Sequence, residues 1–158
     1  MPVFNLNSFK TIDSLPPIVF LFGKDGFSID ETLHKLLSFF IKETQHSDNI
    51  EIIDGEERDL NFTLGIASQF SMLDGRKLIV VKRFDSLFKS KRAISKQTTS
   101  ELLHYIENPN PSSILILLVE ETTEGKSDFS KTKFPYDIII KNHYYIEFPM
   151  IYANKFPK

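Results

Sequence analysis

Four short apolar runs divide the chain: Ile18–Phe22 (IVFLF), Ile50–Ile53 (IEII), Leu78–Val81 (LIVV) and Ile114–Val119 (ILILLV). The continuous ones lack polar alternation, as expected of strands buried on both faces of a parallel sheet. Asp137–Ile140 (DIII) and Tyr144–Phe148 (YYIEF) are less pronounced strand patterns near the end. Between the runs the spacing becomes helical. Ile29, Leu33, Leu36, Leu37 and Phe40 fall on one face of a helix, and Ser28 with Glu31 has the spacing of a capping box at its start. A second helix is expected from Asp59 with Leu60, Leu64 and Ala67 inward. A third is expected from Thr98, with Glu101 completing a capping box and Leu102, Leu103 and Ile106 as its stripe. Asn108-Pro109-Asn110-Pro111 ends it, because proline cannot continue a helix and biases its neighbour toward extended backbone.

Strand and helix thus alternate through one open α/β sheet with right-handed crossovers. Lys89–Gln97 and Glu120–Lys133 are polar and aperiodic and are expected to be loops. The 158 residues suit one domain with a core of its own. There is no cysteine, which rules out disulfides and zinc–thiolate sites. No basic segment precedes a long apolar stretch at the start, and no run approaches the roughly 20 apolar residues of a membrane helix. The expectation is a soluble, unexported, cytoplasmic protein. A formal net charge of −2 exerts no overall pull on nucleic acid. The one compositional oddity is fifteen phenylalanines without a tryptophan.

Candidate chemistry is sparse. The turn Phe22-Gly23-Lys24-Asp25-Gly26-Phe27 follows the first strand, where a doubly wound fold would seat a phosphate. A P-loop needs a wider glycine spacing closed by Lys and then Ser or Thr. Gly23 and Gly26 are three apart, and Phe27-Ser28 follows, so the glycines are read as serving the turn. After Leu78–Val81 come Lys82, Arg83 and Phe84 before the first carboxylate, Asp85, a poor arrangement for magnesium. His34, His46, His104 and His143 show no ligand spacing. No catalytic, cofactor or metal residue is assigned. The cations Lys82, Arg83, Lys89, Lys91, Arg92 and Lys96 form a candidate phosphate-contacting patch, though without interleaved aromatics for base stacking a solvated loop fits better. Gln69-Phe70-Ser71-Met72-Leu73, ahead of the Asp74-Gly75 turn, admits two readings: partner anchors at a corner, or apolar residues closing the core.

The segment PPIVFLFGKDGFSIDETLHKLL resembles the opening of the bacterial DNA polymerase III delta-subunit family, with Gly23, Asp25, Phe27 and Ile29 on its turn-and-helix pattern. SQFSMLDGRKLIVVKRFDSL, ELLHYIENPNPSSILILLVE and IYANKFPK are similar to later segments of that family, in the same order. The resemblance implies a RecA-like, AAA+-type (P-loop NTPase-like) open parallel sheet without a functional nucleotide site. It implies a non-catalytic accessory subunit of a polymerase holoenzyme that binds the sliding clamp and helps open it for loading onto primed DNA. Gln69, Phe70, Ser71, Met72 and Leu73 would be the clamp-binding element, with Met72-Leu73 standing where a Leu-Phe pair is usual, partly exposed in the free domain. Residues 1–148 would form the N-terminal domain and 149–158 the start of a linker toward a second domain, the chain being a truncated piece. The other partners implied are the ATPase subunits and delta-prime, chiefly through absent C-terminal domains, and primed DNA through the complex. The rival readings are a divergent P-loop-like protein binding a phosphate or nucleotide at Gly23–Ser28, and a small nucleic-acid-binding module using the cation patch.

Overall fold

The computed structural model describes residues 4–44, 49–70, 75–89, 94–121 and 129–150. Its strands are β1 (Ile18–Gly23), β2 (Ile50–Asp54), β3 (Lys77–Lys82), β4 (Ser113–Glu120) and β5 (Tyr144–Phe148). Its helices are α1 (Gly26–Thr44), α2 (Leu60–Ser68), α3 (Lys96–Glu107) and α4 (Tyr136–Asn142). The strands form one sheet in the order β2-β3-β4-β1-β5, with every pairing parallel. The central β1 is buried along its whole length and β4 up to Val119, which is why both read as unbroken apolar runs.

Alternate residues of each strand supply two cores, one per face. On one face Val19, Leu21, Val80 and Ile116 pack with Ile29, Leu33, Leu36 and Phe40 of α1 and with Phe4, Ile12 and Leu15 of the N-terminal segment. On the other, Phe20, Phe22, Val81 and Leu117 meet Leu60, Leu64 and Ala67 of α2, Leu102, Tyr105 and Ile106 of α3, and Tyr136 and Ile139 of α4. An aromatic cluster occupies this second core. Phe20 stacks on Phe22 with centroids 4.7 Å apart, and Tyr136 lies 4.6 Å from Phe129 and 6.0 Å from Phe20.

Several local expectations shift. Helix α1 begins at Gly26, and Asp25 takes the capping role assigned to Ser28: Asp25 Oδ1 accepts from the Ser28 N–H at 3.1 Å. Helix α3 begins at Lys96 with Ser95 as its cap, so Lys96 and Gln97 are helical rather than loop. Thr98 instead donates from its hydroxyl to Asn61 Oδ1 at 2.9 Å, tying α3 to α2. Tyr105 is buried beside Leu102 and Ile106, while Leu103 is only half-buried. Asp137–Ile140 is part of α4, not a strand: burying Tyr136 and Ile139 on the aromatic core needs helical spacing, and that overrides the β-branched run. In the polar stretch 120–133, Glu120 ends β4 and Phe129 packs into the aromatic cluster. No helix among the described residues is long and apolar enough to cross a membrane.

Candidate functional site

Helix α2 is opened by Asp59, whose Oδ1 accepts from the Phe62 N–H at 2.8 Å. Its C-terminal carbonyls would have no partner within the helix, and side chains from α3, the turn after it and the start of β4 meet that need. The Ala67 carbonyl accepts from Asn110 Nδ2 at 3.0 Å, Ser113 Oγ at 3.2 Å and Tyr105 OH at 3.3 Å. Asn110 Nδ2 also donates to the Gln69 carbonyl at 2.9 Å, while its Oδ1 accepts from the Ser112 N–H. Gln69 is therefore held in an extended conformation, φ −72° and ψ 139°, and the chain leaves the helix outward. Gln69 is exposed, and Phe70 is 74% exposed, the second most exposed large apolar side chain described. Ser71, Met72 and Leu73 lie outside the described residues.

Beyond Gly75, Arg76 fixes the other flank. Its Nη1 donates to the Ile12 and Leu15 carbonyls at 2.9 and 2.6 Å, and its Nη2 to the Ser113 carbonyl at 3.3 Å. Burial lowers the Arg76 pKa, with the Asp13 charge acting in the opposite direction. Both flanks of the corner thus converge on Ser113, at the start of β4. Neither Asn110 nor Arg76 was singled out by the sequence; Asn110 had been read only as part of the turn that stops α3.

Replacing Asn110 by alanine leaves the Gln69 carbonyl without this donor and thins the bonding at Ala67. The variant is expected to lose ~1–2 kcal/mol of stability and to exchange the amide hydrogens of Gln69 and Phe70 faster. Unchanged exchange at those two amides would show that the clasp does not hold the corner.

Tyr105 shares this clasp, and burial pushes its phenol up to about 12. The folded state therefore holds the proton more tightly than the unfolded chain. The stability this contributes is complete below the ordinary value near 10 and is lost as pH rises toward 12. By about pH 11 the loss is expected to reach roughly 1.4 kcal/mol. Tyr105→Phe, followed by chemical denaturation across that range, should flatten this part of the pH profile; an unchanged profile would contradict it.

Alongside the corner, α2 and α3 border a groove of about 760 Å³, with Leu64 and Tyr105 in its lining and Phe70 among its borders. Gly65 also lines it, mid-helix and exposed, and an added Cβ there would meet nothing within 4 Å.

The turn after β1 is shaped differently from a phosphate cradle. Gly23 has φ +142°, and its Cα lies so close to the Phe148 carbonyl that a side chain would overlap it. That carbonyl accepts from the Lys24 N–H at 2.8 Å and the Asp25 N–H at 3.3 Å, amides that a phosphate-binding turn would turn toward an anion. Asp25 Oδ2 accepts from the Ser28 hydroxyl at 2.6 Å, and this bond, with the Ser28 and Phe27 amides, holds the Asp25 pKa below its ordinary value. The Glu120 carboxylate lies against Gly26, 2.5 Å from where a Cβ would stand. Two carboxylates and a carbonyl therefore gather where a phosphate would have to approach.

The candidate basic patch is compensated at Arg83 and Lys89. Arg83 Nε donates to Asp54 Oδ1 at 2.9 Å, and Nη2 also reaches Asp54; this bonding raises the Arg83 pKa and lowers that of Asp54. Lys89 pairs with Glu56 Oε1 at 2.9 Å. Lys82 and Lys96 are exposed, while Lys91 and Arg92 lie outside the described residues. Among the described residues no group of three His, Asp or Glu side chains could hold a metal ion.

The family model for the DNA polymerase III delta subunit matches residues 20–137. The chain is 28% identical over 104 residues to DNA polymerase III subunit delta of Bacillus subtilis, covering 65% of this chain and 30% of that protein. Among solved structures, it is similar to the Bacillus subtilis DNA clamp loader delta protein, with a TM-score of 0.63 and 25% identity over 88% of this chain and 40% of that one. A DNA polymerase III gamma-subunit-related protein from Thermotoga maritima shares the fold, with a TM-score of 0.55 and 15% identity over 90% of this chain and 44% of its own. The chain thus spans less than half the length of each of these relatives. The AAA+-like parallel sheet is common to both structural relatives, and a match over most of the chain settles its family: it belongs to the DNA polymerase III delta-subunit family.

Proposed function

We propose that this chain is the clamp-gripping domain of a clamp-loader subunit, which binds the sliding clamp through Gln69–Leu73 and so helps open it for loading onto primed DNA. The observation that carries this reading is the corner after α2, where Gln69 and Phe70 are held outward by Asn110. Gln69 would fix the docked segment through hydrogen bonds, and Met72 and Leu73 would fill an apolar pocket, each contributing roughly 1.5–3 kcal/mol of burial. Opening follows if this surface binds a clamp with one interface open more tightly than a closed one, since a ligand shifts an equilibrium only through its differential affinity.

Energy would come from ATP bound by other loader subunits. The Phe148 carbonyl on the Lys24 and Asp25 amides, with Glu120 against Gly26, supports a domain that holds no nucleotide. The ion pairs of Arg83 and Lys89 favour a compensated surface over direct DNA contact. Assembly with the ATPase subunits and delta-prime would rest mainly on parts of the protein beyond these residues, in the cytoplasm.

The test is saturable binding of this chain to the immobilised cognate sliding clamp, which is expected. Failure to bind clamp at any accessible concentration would refute the proposal. Calorimetric titration with ATP and magnesium is expected to give no heat of binding; a low-micromolar dissociation constant would instead favour the divergent P-loop reading.

A further inference from the structure

We propose that the groove between α2 and α3 receives a protruding segment of the sliding clamp, so that the corner and the groove form one docking surface. This rests on the reading that Gln69–Leu73 grips the clamp. The first observation is Gly65. It lies in the middle of a nine-residue helix, where glycine weakens the helix relative to alanine. No crowding requires it, since a side chain at that position would meet nothing within 4 Å. With no side chain at Gly65, the space along this part of the groove is left unfilled.

The second observation is continuity. Phe70 borders the groove and belongs to the corner, and Asn110 both lines the groove and holds the Gln69 carbonyl. A body seated over Gln69 and Phe70 therefore lies directly against the groove. The chemistry fits a loop of folded protein. The exposed Phe70 ring offers apolar surface, while Asn61, Ser100 and Asn108 offer amide and hydroxyl groups that can pair with a main chain. The volume lies within the roughly 300–1,000 Å³ typical of binding clefts, room for a few side chains.

The experiment fills the groove from each wall and reads clamp affinity, thermal stability and self-association on the 158-residue chain. Gly65→Ala is expected to raise Tm by about 2–4 °C, which shows that the folded helix accepts a side chain at this position. Gly65→Trp is expected to keep the wild-type Tm yet weaken clamp binding at least ~10-fold, as losing part of an interface does. Ser100→Arg, on the exposed face of α3, fills the same space from the opposite wall and should act alike, so a poorly folded Gly65→Trp would not leave the question open. If both bulky variants bind clamp as the wild type does, the groove is not part of the surface and the inference falls, while the corner reading stands. If they abolish a concentration-dependent self-association and spare clamp affinity, the occupant is a second copy and the inference also falls. A wild-type chain that binds no clamp at all would sink the underlying reading, before any variant is compared.

Discussion

Replacing Met72 and Leu73 together by alanine is expected to weaken binding to the cognate sliding clamp at least ~30-fold, the ~2 kcal/mol or more lost when interface anchors are truncated. The expectation rests on what surrounds the pair. The inward stripe of α2 is already complete in Leu60, Leu64 and Ala67, all buried. The chain then departs outward through exposed Gln69 and Phe70, directed by the Asn110 clasp. If the pair closed the core instead, each truncation would cost ~2–5 kcal/mol of folding stability. Clamp titration and thermal unfolding on the same double variant separate the cases. A variant that melts far below the wild type, or that keeps full clamp affinity, would end the proposal.

Phe20→Ala is expected to cost ~3–5 kcal/mol of stability, the range for emptying a buried phenylalanine site. Phe20 is fully buried in the middle of β1, and its ring meets those of Phe22, Phe84, Phe129 and Tyr136. Those partners come from the same strand, the turn after β3, the segment before α4 and α4 itself, so one truncation loosens four parts of the core. Urea unfolding reads the loss as a lowered midpoint at unchanged slope. A drop below ~1 kcal/mol would mean that neighbouring rings collapse into the space, contrary to the close packing argued for the cluster.

Five of the fifteen phenylalanines, Phe20, Phe22, Phe84, Phe88 and Phe129, stand in that cluster, yet it was not legible beforehand. Its members Phe22 and Phe129 are 107 positions apart in sequence and meet only in the fold. The sheet was legible because its central strands, buried on both faces, leave continuous apolar runs. Tyr144–Phe148 was correctly read as a strand, whereas DIII was not: a short β-branched run carries no mark of the tertiary contacts that coil it around Tyr136 and Ile139. The cap of α1 was displaced by one turn because Asp25 and Ser28 both suit the role, and it is the Asp25 carboxylate that reaches the Ser28 amide. At the candidate site the exposure expected from the completed stripe of α2 was that of Met72 and Leu73, which lie outside the described residues; that of Gln69 and Phe70 beside them was not singled out. The clasp did not follow, since Asn110 acts 41 to 43 residues away from the carbonyls it holds.

The direction of the strands has a mechanical consequence. The corner at Gln69 and Phe70 precedes the N-terminal end of β3, whereas Phe148 closes the C-terminal end of β5. Because every strand runs the same way, these two points lie at opposite ends of the sheet, roughly 17–20 Å of strand apart. A pull between them runs along the ladders that join β3 to β4, β4 to β1 and β1 to β5, and loads them in shear. The hydrogen bonds of each ladder then share the load and have to fail together, where a pull across the strands would part them one by one. The bonds from Lys24 and Asp25 to the Phe148 carbonyl add a stop at the end of that path. The proposed prying role would need a stiff lever, and strand direction would supply that stiffness whatever side chains the corner carries.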